Sequence, residues 1–252
     1  MISIVTGGAS GLGLAVVKRF AQKGYTVAMI DISHENGKLQ ESILRDDGYD
    51  VHFYQGDVTQ QDQVLEVTKQ IFDKNENIHI LVNAAGIIRR TPHVNVKDQE
   101  LKMVLDVNLN GTIYMCQAVH PYMDKGGQGA IVNFSSMLAH YGSKNLLSYA
   151  ASKGGIVQIT KCLAVDWAEN NIRVNAVSPG YIETPLSSGA TKDPVFNERI
   201  LSRTPQRRYG KPEEVAAAID FLCSAEASFI TGVVLPIDGG LLAGDPSLFP
   251  PA

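Results

Sequence analysis

Tyr149 and Lys153 stand four residues apart at the end of a stretch, SMLAHYGSKNLLSYAASK, that opens on Ser136. On a helix that spacing projects both side chains from one face, so a phenol and an ammonium would share one space. A phenol titrating near ~10 is a poor acid or base at neutral pH, and a neighbouring cation lowers that value by favouring the phenolate. Such a pair can pass a proton to or from an oxygen. An amphipathic helix carrying an incidental lysine has the same spacing, so the pair takes its meaning from the rest of the chain.

A second chemistry is written at the other end. TGGASGLG, from Thr6 to Gly13, is a TGxxxGxG turn between a short β-branched run and a helical pattern. Glycines let the backbone turn tightly and approach a pyrophosphate, and the amides and dipole of the following helix hold the anion. Ser10, Gly11 and Leu12 belong to this turn, with Gly7 and Gly13 at its ends. Asp31 lies 18 residues beyond Gly13 at the end of a second apolar run. A carboxylate there can accept hydrogen bonds from adenosine ribose hydroxyls and would repel a 2′-phosphate. Ile32 and Ser33 follow, and neither pairs with a phosphate, so NAD is expected over NADP. A strand-end or capping aspartate is the plainer alternative. Asp57-Val58 and Asn83-Ala84-Ala85 end two further runs where a cofactor crossing the strand ends would meet them, although turn chemistry accounts for either alone.

The elements that position these residues alternate along the chain. Apolar strand runs at Ile2–Thr6, TVAMID, VHFYQGD, IHILVN, AIVNFSS, IRVNAVS and Val233–Ile237 are separated by helical patterns. The helices are expected to end near Gly24 and Asp47, to cover about Gln60–Lys74, to form one long unit from about Asp98 to Met123, and to continue through the Tyr149 helix to about Glu169 and a last helix at Pro212–Cys223. Continuous apolar runs between helices describe a parallel sheet covered on both faces. The expected fold is α/β: a Rossmann-like, doubly wound, seven-stranded parallel sheet in a single domain. Pro179 to Lys211 reads as a long irregular region, and a loop of that length in a compact domain suggests a substrate lid, at about 180–211.

Composition excludes several classes. The chain has 252 residues, 44% hydrophobic and 19% charged, with a net charge of −4. That balance offers nothing to nucleic acid or an anionic membrane. Cys116, Cys162 and Cys223 are far apart, with no metal-ligand spacing, and read as buried thiols in a reducing compartment. No apolar run is long enough to cross a bilayer. With the first motif beginning at Thr6, no cleavable leader is expected. A cytoplasmic protein without a metal follows.

TGGASGLG, Asp31, NAAG, Asn108, Ser136, Tyr149-x-x-x-Lys153 and Pro179-Gly180, in this order, closely resemble the short-chain dehydrogenase/reductase family from Ile2 to about Gly240. Only the tail at about 241–252 lies outside. The resemblance implies that Tyr149 is the proton donor in ketone reduction and the base in alcohol oxidation, that Lys153 lowers its pKa and holds the nicotinamide ribose, and that Ser136 binds the substrate oxygen. Ser135 is the fallback. Asn108 matches the family's fourth member, which holds a water leading from the lysine to solvent. Pro179, Gly180, Ile182 and Thr184 match the segment around the nicotinamide carboxamide. A homotetramer is also implied.

Within the family, NAAGIIRR, the SM pair at Ser136 and RTPQRRYG look most like the gluconate and deoxygluconate (sugar-acid and polyol) dehydrogenases. Arg89 or Arg90 could pair with a substrate carboxylate, or both could be solvated loop residues. His140 lies where the family's substrate wall begins. The rival readings are a 3-oxoacyl thioester or general carbonyl reductase and, from another class, a non-catalytic NAD-binding regulatory or assembly protein.

Overall fold

The computed structural model describes residues 1–184 and 193–246. Seven parallel strands form one sheet in the order β3-β2-β1-β4-β5-β6-β7. They are β1 (Ile2–Thr6), β2 (Thr26–Asp31), β3 (Val51–Gln55), β4 (Ile80–Asn83), β5 (Gly129–Phe134), β6 (Ile172–Pro179) and β7 (Val234–Ile237). The order reverses between β1 and β4, so a crevice opens at the carboxyl ends of the strands there.

Helices α1 (Gly11–Gln22), α2 (His34–Asp46) and α8 (Pro212–Cys223) flank the sheet, as do α3 (Gln61–Asn75), α4 (Asp98–Leu105), α5 (Gly111–Gly126) and α6 (Leu147–Asp166). Two apolar layers result. Val16, Val17 and Phe20 of α1 and Val215, Ile219 and Leu222 of α8 meet Val5, Met29 and Val82 in one. Ile71 of α3 and Met115, Val119 and Met123 of α5 meet Ile4, Leu81 and Ile131 in the other. Both sheet faces are thus dry, which is why the strands read as unbroken apolar runs.

Three expectations change. The long helix is interrupted by a π-helical turn at Asp106–Asn110, where the Gly111 amide reaches back five residues to the Asp106 carbonyl. The expected irregular region contains α7 (Pro194–Arg203), started by Asp193, whose side chain accepts from the Val195 and Phe196 amides, and by Pro194 in the first turn. The early part of the lid, residues 185–192, lies outside the described residues, as does the tail beyond 246. Cys116 and Cys223 are buried, but Cys162 is exposed on the outer face of α6. No helix among the described residues is long and apolar enough to cross a membrane, and no cluster of His, Cys, Asp or Glu among them could hold a metal ion.

Candidate active site

The glycine turn connects β1 to α1, and sterics fix its residue types. A Cβ on Gly13 would lie 2.2 Å from the Gly7 carbonyl oxygen, and one on Gly7 would lie 2.8 Å from the Ala85 backbone. Gly7 (φ +63°) and Gly11 (φ +53°) also take left-handed backbone. Ser10 caps α1 in extended conformation, and Leu12 packs on the first apolar layer. The first amides of α1 have no carbonyl one turn back, which leaves them for an anion. A cradle that side chains would fill and that ends on free amides fits a dinucleotide pyrophosphate.

Asp31 braces this cradle. Its Oδ2 accepts from the Ala9 amide at 3.1 Å and its Oδ1 from the Ser33 amide at 3.0 Å. Each oxygen keeps lone-pair capacity for a ribose hydroxyl. Asp57 accepts from the Thr59 amide and hydroxyl, and Val58 packs closely over Gly111. The backbone after β4 passes over the crevice, with the Ala85 amide donating to Thr6 Oγ1 at 3.2 Å; Ala84 packs on the first layer. The Asn83 side chain turns inward instead, donating to Asn133 Oδ1 (2.9 Å) and facing Cys116 Sγ (3.4 Å). It ties β4 to β5, and only its backbone faces the crevice edge.

Beyond β5 the chain leaves the sheet at Phe134, and the two serines separate. Ser135 Oγ donates to the Lys153 carbonyl at 3.0 Å and is consumed there. Ser136 Oγ accepts from the Leu138 amide at 3.1 Å, and its hydroxyl acts to lower the pKa of the Tyr149 phenol. Tyr149 enters in the first turn of α6, and Lys153 follows one turn later, its Nζ 5.7 Å from the tyrosine ring centroid. That ammonium is buried and donates to the Phe134 carbonyl at 2.7 Å. Burial lowers it from 10.5 to about 8, close to the range in which a proton can be exchanged. Burial raises the Tyr149 phenol, while Ser136 and the positive charge of Arg90 act in the opposite direction. Lys153 is not among the groups acting on the phenol here.

The π turn explains how Asn108 reaches the site. Its Oδ1 accepts from the Ile87 amide (2.8 Å), and its Nδ2 donates to the Ile87 carbonyl (2.9 Å) and to Ser152 Oγ (3.0 Å). A Cβ on Gly86 would lie 3.3 Å from Asn108 Oδ1 and 3.8 Å from Lys153 Nζ. The segment that follows β4, the π turn and the Lys153 helix therefore meet at one point.

Pro179 ends β6. The Gly180 amide donates to the Ile237 carbonyl at 3.0 Å, and a Cβ at Gly180 would strike Asp238 Cα at 2.8 Å. Ile182 is buried and bridges to Gly210, two residues before Thr184. Arg89 folds its guanidinium onto the Ile88 carbonyl. The charge of Arg90 is felt at both Tyr149 and Tyr181. His140 Nε2 shares a hydrogen bond of 3.1 Å with Ser178 Oγ, which fixes the imidazole to β6.

Several positioning residues gave no distinct signal in the sequence. Ser152 couples Asn108 to α6 and donates to the Tyr149 carbonyl at 2.7 Å. Glu100 joins the Arg90 loop to the start of α6 by accepting from Thr91 Oγ1 (2.6 Å) and Ser148 Oγ (3.4 Å). Both are short-range polar contacts between distant segments. No local pattern announces them.

Comparison with known proteins places this geometry. A family model described as enoyl-(acyl carrier protein) reductase matches residues 7–242. The chain is 44% identical over 243 residues to a 3-oxoacyl-(acyl-carrier-protein) reductase of Thermotoga maritima, covering 96% of this chain and 97% of that one. It is 34% identical over 251 residues to a 2-dehydro-3-deoxy-D-gluconate 5-dehydrogenase of Formosa agariphila, covering 98% and 95%. A crystal structure of a gluconate 5-dehydrogenase from Burkholderia cenocepacia, in complex with NADP and tartrate, superimposes with a TM-score of 0.93 at 32% identity, covering 96% and 95%. With the glycine turn, the seven-stranded order and the Ser136, Tyr149 and Lys153 constellation in place, the chain belongs to the short-chain dehydrogenase/reductase family and is an oxidoreductase of alcohols and ketones.

Proposed function

We propose that the protein interconverts a secondary alcohol and a ketone on a small sugar acid or related polyol, with NAD as its cofactor. The observation that carries the substrate class is Arg90. Its charge reaches the Tyr149 phenol, and among the described residues it enters no salt bridge. An exposed guanidinium whose charge acts on the reacting phenol suits a substrate that carries a carboxylate.

The nicotinamide group, when bound, supplies or accepts the hydride. Gly7, Ser10, Gly11, Leu12 and Gly13 would hold its pyrophosphate, and Asp31, Asp57 and Val58 its adenosine. Ala84, Ala85, Pro179, Gly180, Ile182 and Thr184 would line the path to the nicotinamide end, with Asn83 contributing backbone alone. In reduction, Ser136 orients the carbonyl oxygen and Tyr149 delivers a proton to it. Lys153, with its pKa near 8, would return a proton to Tyr149 and be recharged from solvent by way of a water held at Asn108. Oxidation runs the same groups in reverse.

NAD is supported by the Asp31 carboxylate and by the absence of a cation at Ile32 and Ser33, whereas the Burkholderia neighbour is in complex with NADP. A homotetramer is supported by apolar side chains left exposed on α6 (Val165, Leu147) and around β7 (Phe229, Phe221, Val233). Free thiols at Cys116, Cys162 and Cys223 support a cytoplasmic setting.

The 44% identity to a 3-oxoacyl-(acyl-carrier-protein) reductase favours a second reading, a thioester carbonyl reductase. Initial rates separate the two: gluconate and other aldonic acids with NAD, against acetoacetyl-CoA with NADH and NADPH. Aldonic-acid oxidation at the higher kcat/KM supports the first reading, and turnover of the thioester alone overturns it. Tyr149→Phe should lower kcat by about 10²–10⁴-fold while NADH binding, read by fluorescence, is kept. A wild type that binds NADH and turns over nothing would return the protein to the regulatory class.

A further inference from the structure

The stretch between Ser136 and Tyr149 carries a polar group that the chemistry above does not use. The Tyr141 hydroxyl is buried, and no donor or acceptor among the described residues reaches it. Two other buried side-chain atoms share that condition, Thr68 Oγ1 and Asn83 Oδ1, but they lie on α3 and at the end of β4. Tyr141 alone sits in the substrate wall. It packs in a small apolar cluster with Met137, Leu138, Leu146, Tyr149, Tyr181 and Leu241. The reacting phenol and the unpartnered phenol therefore belong to one surface.

The lid clamps that ring. Arg203, the last residue of α7, places its guanidinium carbon 5.5 Å from the Tyr141 ring centroid, a cation-over-ring contact that fixes the ring's orientation. Arg203, like Arg90, enters no salt bridge among the described residues. Both guanidinium charges act on Tyr181, which packs in the same cluster. Arg203 thus lies against Tyr141, and the charge of Arg90 acts on Tyr149. A buried hydroxyl without a partner costs about as much as a lost hydrogen bond. Such a group is retained where a ligand atom completes it.

We infer that Tyr141 is a specificity-determining residue, whose hydroxyl donates a hydrogen bond to an oxygen of the substrate remote from the reacting carbon. This inference rests on the polyhydroxylated-acid reading above, since a short apolar substrate has no such oxygen to offer. Tyr141 senses the distal end of the substrate, and Tyr149 works on the near end.

Tyr141→Phe removes one oxygen and keeps the ring. The experiment compares kcat/KM for gluconate with kcat/KM for 2,3-butanediol, which has no distal hydroxyl or carboxylate, in the wild type and the variant, together with the melting temperature of each ligand-free protein. The expected result is a fall of about tenfold in the gluconate-to-butanediol ratio, carried by KM, with a melting temperature no lower than that of the wild type. An unchanged ratio in a wild type that oxidises gluconate overturns the role of Tyr141 and leaves the substrate class standing. A melting temperature lowered by several degrees with the ratio unchanged makes the hydroxyl a structural group and overturns it as well. A wild type that ignores gluconate but reduces acetoacetyl-CoA overturns the substrate class and, with it, this role.

Discussion

Replacing Lys153 by methionine should stabilise the ligand-free protein while abolishing most of its activity. Lys153 is 4% exposed, and its ammonium has one hydrogen-bond acceptor, the Phe134 carbonyl at 2.7 Å. Burial lowers its pKa from 10.5 to about 8. At 1.36 kcal/mol per unit, the folded state disfavours the ammonium by about 3 kcal/mol relative to the unfolded chain. The sign follows from proton counts. Between pH 8 and 10.5 the unfolded chain holds the proton more tightly, so the penalty is fully present below about 8 and is relieved as the pH rises to 10.5. Methionine fills a similar volume without charge, and its cost is the bond to Phe134, worth about 1 kcal/mol. The variant should therefore gain about 2 kcal/mol at pH 7, and the gain should vanish by pH 10.5. Urea unfolding of both proteins at half-unit pH intervals measures this directly. A variant less stable at pH 7, or a difference that does not change with pH, would refute the argument that burial alone sets the lysine's pKa.

Two further outcomes follow from the cradle. Gly13→Ala brings a Cβ to 2.2 Å from the Gly7 carbonyl oxygen, a backbone atom that cannot rotate away, so NADH affinity should fall at least tenfold and the melting temperature with it. Gly11→Ala, where a Cβ meets nothing within 4 Å, should cost only the left-handed strain of about 1–2 kcal/mol, and fluorescence titration of both variants separates space from strain. Asp31→Ala removes the acceptor for the Ala9 and Ser33 amides; the ratio of NAD to NADP kcat/KM should fall by at least tenfold, and an unchanged ratio would show that Asp31 only braces the turn.

Much of this architecture was legible because it is repeated. Strands buried on both faces must be continuous apolar runs, and glycines where a Cβ would strike backbone admit no substitute, so β1, the turn at Gly7–Gly13 and the Tyr149–Lys153 spacing stand out in the sequence. What escaped depends on contacts between distant segments or on subtle backbone register. Nothing in DVNLN distinguishes a π turn from an α turn, because both are built from the same residue types, and the difference lies in which carbonyl each amide selects. Helix α7 was hidden by Pro194, which reads as a breaker in an irregular region and as a first-turn residue once Asp193 is seen to cap it. The bond from the Lys153 ammonium to the Phe134 carbonyl is likewise a choice no spacing rule encodes. Cys162 read as buried from its apolar neighbours, although α6 leaves that side open.

The π turn at Asp106–Asn110 also makes chain length itself part of the site. A turn closed over five residues holds one residue more than an α-helix needs. Deleting a single residue there would restore a regular helix without sacrificing a main-chain bond, yet it would turn everything on one side of the cut by about 100°. Asn108 would be carried away from Ile87 and Ser152, and the junction between the segment after β4 and the lysine helix would come apart in a protein that still folds. Along this segment, the number of residues is as much a catalytic specification as their identity.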